Sequence, residues 1–345
     1  MPIDEKIQLH ADRGEIVPSR AILKTPAQIE MIRKSADLNT AVLDEVAKHI
    51  RIGMSTAEID EIVYRFTTEH GGIPAPLNYQ GFPKSVFTSL NNEICHGIPD
   101  ENIMIQDGDI INVDVSTILN GYFSDASRMF KMGNVSERAE RLVRVTEECV
   151  QRGLAAAKPW GHLGDIADAI NTHAQANGYS VVEEIGGHGI GLEFHEDPFV
   201  SYVTPKGSEM LLVPGMMFTI EPMINEGSPD FFVDEDNDWT VYTIDDGLSA
   251  QIEYMVLVKE DGVEVLQFDP INGIAVQIID GFKHLCFCLS RKKKDDMRDH
   301  LDSGRFQSDY SIVKNLQRVS PADVAGSLRM DGLKTKLDPD RLDLI

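Results

Sequence analysis

Two aspartates, two glutamates and two histidines stand in surroundings that do not suit them. In DGDIINVDVSTILNGYFSDASRMF (107–130), Ile111, Val113 and Val115 alternate with Asn112, Asp114 and Ser116, the period of a β-strand. Asn120-Gly121 is a two-residue hairpin turn signal. With the turn there, Ser116 faces Asp125. Asp114 then lies diagonal to Asp125 on the same face, about 7–8 Å away and within joint reach of a bound ion. Glu221 sits in the apolar run MMFTIEPMI (216–224) and Glu253 in SAQIEYMVLV (249–258), and neither run contains Lys or Arg. A buried carboxylate without a cation costs several kcal/mol unless it is paired or metal-bound. The segment GGHGIGLEFHEDP (186–198) adds His188 and His195, seven residues apart among glycines.

Each of these features alone also reads as an acid facing water or a polar loop. Together, carboxylates plus imidazole make an oxygen-and-nitrogen donor set suited to divalent first-row metals. Four carboxylates exceed what one tetrahedral zinc site uses. They point to two ions, about 3.5–4 Å apart, sharing carboxylates and activating a water as nucleophile. The chain has no CxxC pair, no phosphate-binding GxxxxGK[ST] loop and no GxSxG nucleophile elbow, and the glycines of 186–191 lack dinucleotide-binding spacing.

Such a site needs elements that bring distant segments together. Thr25-Pro26-Ala27-Gln28 opens a helix, with Thr as cap and Pro in the first turn, and Ile29, Ile32, Ala36, Val42 and Val46 follow near a helical period. A second helix begins at Ser55-Thr56-Ala57-Glu58 and ends near Gly71-Gly72. The same grammar returns as an amphipathic stretch over 138–158 and a helix opening at Gly164-Asp165-Ile166 and closing at Gly178. Glu58 and Asp165, and Gly71 and Gly178, are related by one offset of 107 residues. This predicts an α+β domain made of two helix–helix–sheet halves related by pseudo-twofold symmetry, with the site between them.

Composition sets the limits. The chain has 345 residues, 42% of them hydrophobic, with 32 basic and 56 acidic side chains and a net charge of −24. That field repels phosphate backbones, so specific nucleic-acid binding is excluded as the main role. No apolar run reaches the roughly 18–20 residues that span a bilayer, so no membrane partner is expected. The polar first twenty residues carry no signal-peptide core, and the four cysteines are too scattered for a disulfide framework, so a cytoplasmic location is expected. Near Phe268 the composition shifts. Beyond it acids and bases nearly balance, no glutamate occurs, and Arg291-Lys292-Lys293-Lys294 forms a basic run read as a solvated face or linker. The expected division is an N-terminal extension over 1–21, a catalytic domain over 22–268 and a C-terminal extension over 269–345.

The strings GFPKSVFTSLNNEICHGIPD, DGDIINVDVSTILNGYFSDASRMF, GGHGIGLEFHEDP, FTIEPMI and LSAQIE, in this order and spacing, resemble the type I methionine aminopeptidases from about Ile22 to Gln267. The resemblance implies the pita-bread fold. It implies that Asp114, Asp125, His188, Glu221 and Glu253 hold two divalent metal ions (Co, Mn, Fe, Ni or Zn), with Asp125 and Glu253 bridging. By the same resemblance Glu221 transfers protons, His96 and His195 contact substrate and the tetrahedral intermediate, and Tyr79, Phe82, Phe87 and Trp239 line a methionine pocket. The implied substrates are nascent chains beginning with Met and a small residue, for which docking at the ribosome is a compatible setting, and the implied state is a monomer. Three positions depart from the family pattern: Gln80 and Tyr254 stand where histidine is usual, and Phe87, where a smaller residue is usual, is expected to narrow the pocket. The short N-terminal segment lacks the zinc-finger extension of eukaryotic forms. Two rival readings are an Xaa-Pro aminopeptidase of the same fold, whose relatives carry a sizeable extra N-terminal domain, and a metal-free binding protein on that fold, against which all five ligand-type residues speak.

Overall fold

The computed structural model describes residues 1–267. The C-terminal extension expected over 269–345, with its basic run, lies outside the described residues.

The two helix pairs form where the caps predict. Helices α1 (Ile3–Ala11), α2 (Pro26–His49), α3 (Thr56–Glu69), α4 (Glu137–Ala156) and α5 (Leu163–Ala176) follow in chain order. Thr25 and Gln28 close a capping box on α2, and Ser55 and Glu58 do the same for α3. The 107-residue repeat is visible in the caps. Asp165 is the third residue of α5 and closes its capping box with His162, as Glu58 does for α3, and Gly71 and Gly178 both take positive φ just past their helices. Among the described residues no helix is long and apolar enough to cross a membrane.

Helix α1 falls in the segment expected to be a mere extension. It buries no residue, so no apolar stripe announces it. A tryptophan distant in sequence holds it: Lys6 Nζ lies 3.9 Å from the Trp160 ring centroid, and the His10 ring stacks on Trp160 at 5.6 Å.

The strands are β1 (Ile73–Pro74), β2 (Phe87–Leu90), β3 (Glu93–Cys95), β4 (Ile110–Leu119), β5 (Tyr122–Lys131), β6 (Ser180–Val181), β7 (Gly187–Gly189) and β8 (Glu196–Val200). They continue as β9 (Met217–Ile220), β10 (Met223–Asn225), β11 (Phe231–Val233), β12 (Val241–Thr243), β13 (Ser249–Gln251), β14 (Glu253–Lys259) and β15 (Gly262–Val265). The main sheet runs β1-β4-β5-β14-β9-β7-β8, with β2 added on β4 and β15 on β14. Its named pairings are antiparallel. Two three-stranded sheets, β13-β10-β6 and β11-β12-β3, complete the strands. Helices α2 and α3 pack on the β4–β5 side through Leu38, Val42, Val46, Ile59, Val113 and Val115, all buried.

Neither apolar run around Glu221 and Glu253 forms one continuous strand: the first breaks at Glu221-Pro222 and the second at Ile252. β9 ends at Ile220 and β10 begins at Met223, while β13 ends at Gln251 and β14 begins at Glu253. Pro222 has no N–H to continue the ladder. The chain therefore passes from the main sheet into the β13-β10-β6 sheet at this point, and both glutamates stand at the corner between the two sheets.

Candidate active site

The β4–β5 hairpin has the register its sequence implies. Ser116 pairs with Asp125 and Asp114 with Ser127, which sets Asp114 and Asp125 diagonally on one face. Glu253 enters beside them, because it pairs with Ser127 on the next strand. His188 comes from β7, which pairs with β9. Asp125, His188 and Glu253 each offer a ligand atom within 4.8 Å of the others. His188 Nε2 lies 3.6 Å from Glu221 Oε1 and 3.8 Å from Asp125 Oδ2. Acids from β5, from β14 and from the β9–β10 junction thus converge on the His188 imidazole, with Asp114 of β4 beside Asp125.

The electrostatics are those of anions crowded out of water. Burial pushes Asp114 up to about 7 and Glu221 up to about 8. Asp125 and Glu253 are driven well above the usual carboxylate range, first by burial and then by the neighbouring acids. Burial and the nearby His195 push His188 down to about 3, so its imidazole is neutral. Its Nδ1 donates to the Gly189 carbonyl at 3.0 Å, which leaves the Nε2 lone pair facing the acids. Asp114 Oδ1 and Glu253 Oε1 are buried without a hydrogen-bond donor. Unsatisfied oxygens, a neutral imidazole with its lone pair turned inward and a convergence of acids fit divalent cations.

Apart from Ser116, which the hairpin turn already sets opposite Asp125, the second ring of contacts escaped the sequence reading. Thr219 Oγ1 donates to Glu221 Oε1 at 2.6 Å, and Gln251 Nε2 donates to Glu221 Oε2 at 3.0 Å. Ser116 Oγ donates to Asp125 Oδ1 at 2.8 Å. Asn112 Nδ2 donates to the Gln251 carbonyl at 2.7 Å, and Tyr202 Oη accepts the Glu221 N–H at 2.7 Å. One signal would have found three of them. Asn112, Thr219 and Gln251 each stand two residues before an acid, the spacing that puts side chains on one face of a strand.

The aromatic residues assigned by resemblance fall into two groups. Phe82 packs against Phe87 at 4.4 Å and against Trp239 at 5.1 Å, and Phe87 lies 5.0 Å from the His96 ring. Because Phe87 pairs with Asp114 across β2 and β4, this apolar wall adjoins the acids directly. Tyr79 belongs to the second group: its hydroxyl lies 3.0 Å from His195 Nδ1, and its ring packs on Phe194 at 4.8 Å. His195 stands exposed beside His188, with ring centroids 4.2 Å apart. Burial lowers His96 to about 4, so its imidazole is neutral. Gln80, the departure beside Tyr79, is exposed and takes φ 49°.

The glycines around His188 have a steric use. A Cβ on Gly189 would fall 2.0 Å from the Asp197 carbonyl oxygen, so β7 and β8 meet at a distance no side chain permits. Gly189→Ala is therefore expected to lower stability by about 2–3 kcal/mol, in the range of overpacking, and to weaken metal binding by displacing His188. Denaturant unfolding together with metal titration checks this, and an unchanged midpoint would contradict the contact.

The profile of metallopeptidase family M24 matches residues 30–260. Methionine aminopeptidase A of Synechocystis is 48% identical over 69% of this chain and 94% of that relative. The crystal structure of the methionine aminopeptidase of Rickettsia prowazekii superposes with a TM-score of 0.70 at 39% identity, covering 71% of this chain and 99% of that one. An X-Pro aminopeptidase of Thermotoga maritima shares the fold at 22% identity and TM-score 0.57, over 77% of this chain and 65% of that one. The pita-bread fold, the donor set at the sheet corner and these similarities agree: the chain belongs to the type I methionine aminopeptidases of metallopeptidase family M24.

Proposed function

We propose that this chain removes the N-terminal methionine from polypeptides whose second residue is small. The observation that carries the reading is the convergence of four buried acids and a neutral His188 beside an aromatic wall. On this reading Asp114, Asp125, His188, Glu221 and Glu253 would hold two divalent ions. Such ions, when bound, polarise a peptide carbonyl and lower the pKa of water toward neutrality. Glu221 accepts the proton of the attacking water and returns it to the leaving amine. Thr219 and Gln251 hold one carboxylate oxygen each, so the Glu221 carboxylate is fixed in orientation. Tyr79 donates to His195 Nδ1, which leaves His195 Nε2–H for the carbonyl oxygen where charge grows, and His96 serves as a second neutral donor. Phe82, Phe87 and Trp239 enclose the methionine side chain, whose thioether suits aromatic walls. The free, buried Cys95 and Cys149 suit a reducing compartment, and we place the enzyme in the cytoplasm, acting on nascent chains as a monomer.

The test is a peptide library varied at the first two positions, offered with Mn(II), Co(II), Fe(II), Ni(II) or Zn(II) in turn. Release of methionine ahead of Ala, Gly or Ser supports the reading, while preference for a second-position proline favours the Xaa-Pro rival. His195→Ala is expected to lower kcat by about 10²–10³, the loss typical of one donor to a developing oxyanion. Steady-state kinetics on Met-Ala-Ser measures this, and a wild-type kcat would remove His195 from the machinery.

A further inference from the structure

His195 stands on the loop 190–195 that joins β7 to β8, and an ion pair used by no step above grips that loop from beneath. Lys24, the residue before the Thr25 cap of α2, is buried, its side chain 1% exposed. Its Nζ donates to Glu196 Oε2 and, at 3.3 Å, to the Ile22 carbonyl. The other oxygen of Glu196 accepts two loop amides, Leu192 N–H at 2.6 Å and Glu193 N–H at 3.0 Å. Gly191, at φ 130°, completes the fit. A Cβ there would fall 2.6 Å from Ile32 Cδ1 and 3.1 Å from Lys24 Cε, so the loop backbone rests directly on α2 and Lys24. Lys24 is anchored in turn by its N–H on the Gly215 carbonyl at 2.8 Å, just ahead of β9 and Glu221.

A buried ion pair is weak as a source of stability, because desolvating two charges offsets most of their attraction. Its strength is geometric, and here the geometry is specific. One carboxylate ties two backbone amides of the loop to a cation fixed at the start of α2 and beside β9. The residues held this way are Phe194, whose ring lies 4.4 Å from His195, and His195 itself. A catalytic donor must sit within about half an ångström of its place, and a 1 Å error costs about 10²-fold.

Resting on the role given above to His195, we propose that the Lys24–Glu196 pair is the positioning device for that histidine. The pair ties the catalytic loop to the scaffold that carries the acids, and neither residue touches substrate. The test is the double variant Lys24→Met/Glu196→Gln, which removes both charges together and so leaves no lone charge buried. Kinetics on Met-Ala-Ser with Mn(II) are measured in the wild-type and the His195→Ala backgrounds, with amide hydrogen exchange followed over 191–196. In the wild-type background kcat is expected to fall at least tenfold with KM within twofold. In the His195→Ala background the same substitutions are expected to cost nothing further. The loop amides are expected to exchange at least tenfold faster while those of α4 and α5 stay unchanged. An equal fractional loss in both backgrounds overturns the proposal, as does a wild-type kcat or unchanged loop exchange. If the double variant does not fold, Glu196→Gln alone, which keeps an acceptor for the two amides, is read by the same measurements. A wild-type kcat in the single variant His195→Ala would instead sink the role of His195, and it is told apart because it involves no change at Lys24.

Discussion

Replacing Glu221 by Gln is expected to leave the protein folded and to lower kcat/KM for Met-Ala-Ser by about 10³, within the 10²–10⁴ that a positioned general base contributes. The fold should survive because the site can accommodate the amide. Glu221 is 7% exposed and receives one hydrogen bond on each oxygen, from Thr219 Oγ1 and Gln251 Nε2. Gln251 Oε1 is buried without a partner, so rotation of its amide lets it accept from the new N–H₂ group. Activity should not survive, because an amide nitrogen neither accepts the proton of water nor serves as an anionic ligand beside His188. Circular dichroism and the melting temperature report the first half, and steady-state kinetics the second. A variant as active as the parent would mean that the proton passes elsewhere.

The second large effect concerns the metal. Chelation is expected to lower the melting temperature, and excess Mn(II) or Co(II) to restore it, by about 2.7 kcal/mol at a hundredfold excess over Kd. The direction follows from the buried acids. In the folded, chelated protein Asp114 and Glu221 are pushed up to about 7 and 8, and Asp125 and Glu253 lie higher than usual as well. The folded state then binds more protons than the unfolded chain above about pH 4, where free carboxyls ionise. The contribution of these acids to the stability of the chelated protein is therefore fully present below pH 4 and is lost as pH rises through about 8. The stabilisation by metal should grow over the same window. Asp125→Asn sharpens the test with two opposite signs. Removing a charge that burial and two neighbouring acids disfavour should raise the melting temperature of the chelated protein. Losing one of the carboxylates proposed to hold metal should abolish both the metal-dependent rise and the activity. Differential scanning fluorimetry across pH, with and without chelator, reads both. A chelated Asp125→Asn protein that melts below the chelated parent would contradict the crowding of anions at this site.

Much of this architecture is written in short-range chemistry. The caps at Thr25 and Ser55 bond as their residue types require, and the Asn120-Gly121 turn alone determines that Ser116 faces Asp125. Five motifs in order gave the family, because each carries a side chain that the site needs. What stayed hidden depends on contacts between distant segments. Helix α1 has no buried face, and its stacking on Trp160 has no counterpart in local pattern. The breaks at Glu221-Pro222 and at Ile252 look like continuous strands in sequence, although Pro222 is a visible cause for the first. Thr219, Gln251 and Asn112 were legible in principle through their two-residue spacing from the acids. The Lys24–Glu196 pair was not, since 172 residues separate its members.

The central claim is that these acids and His188 hold metal for the removal of methionine. Its most direct test is methionine release from Met-Ala-Ser by the purified full chain, first stripped with chelator and then resupplied with Mn(II) or Co(II), beside an Ala-Pro-Ala control. The account predicts no release from the stripped protein, recovery on adding metal, and little cleavage of the proline peptide. Release undiminished by chelation, or no release with any metal while the proline peptide is cut, would contradict it.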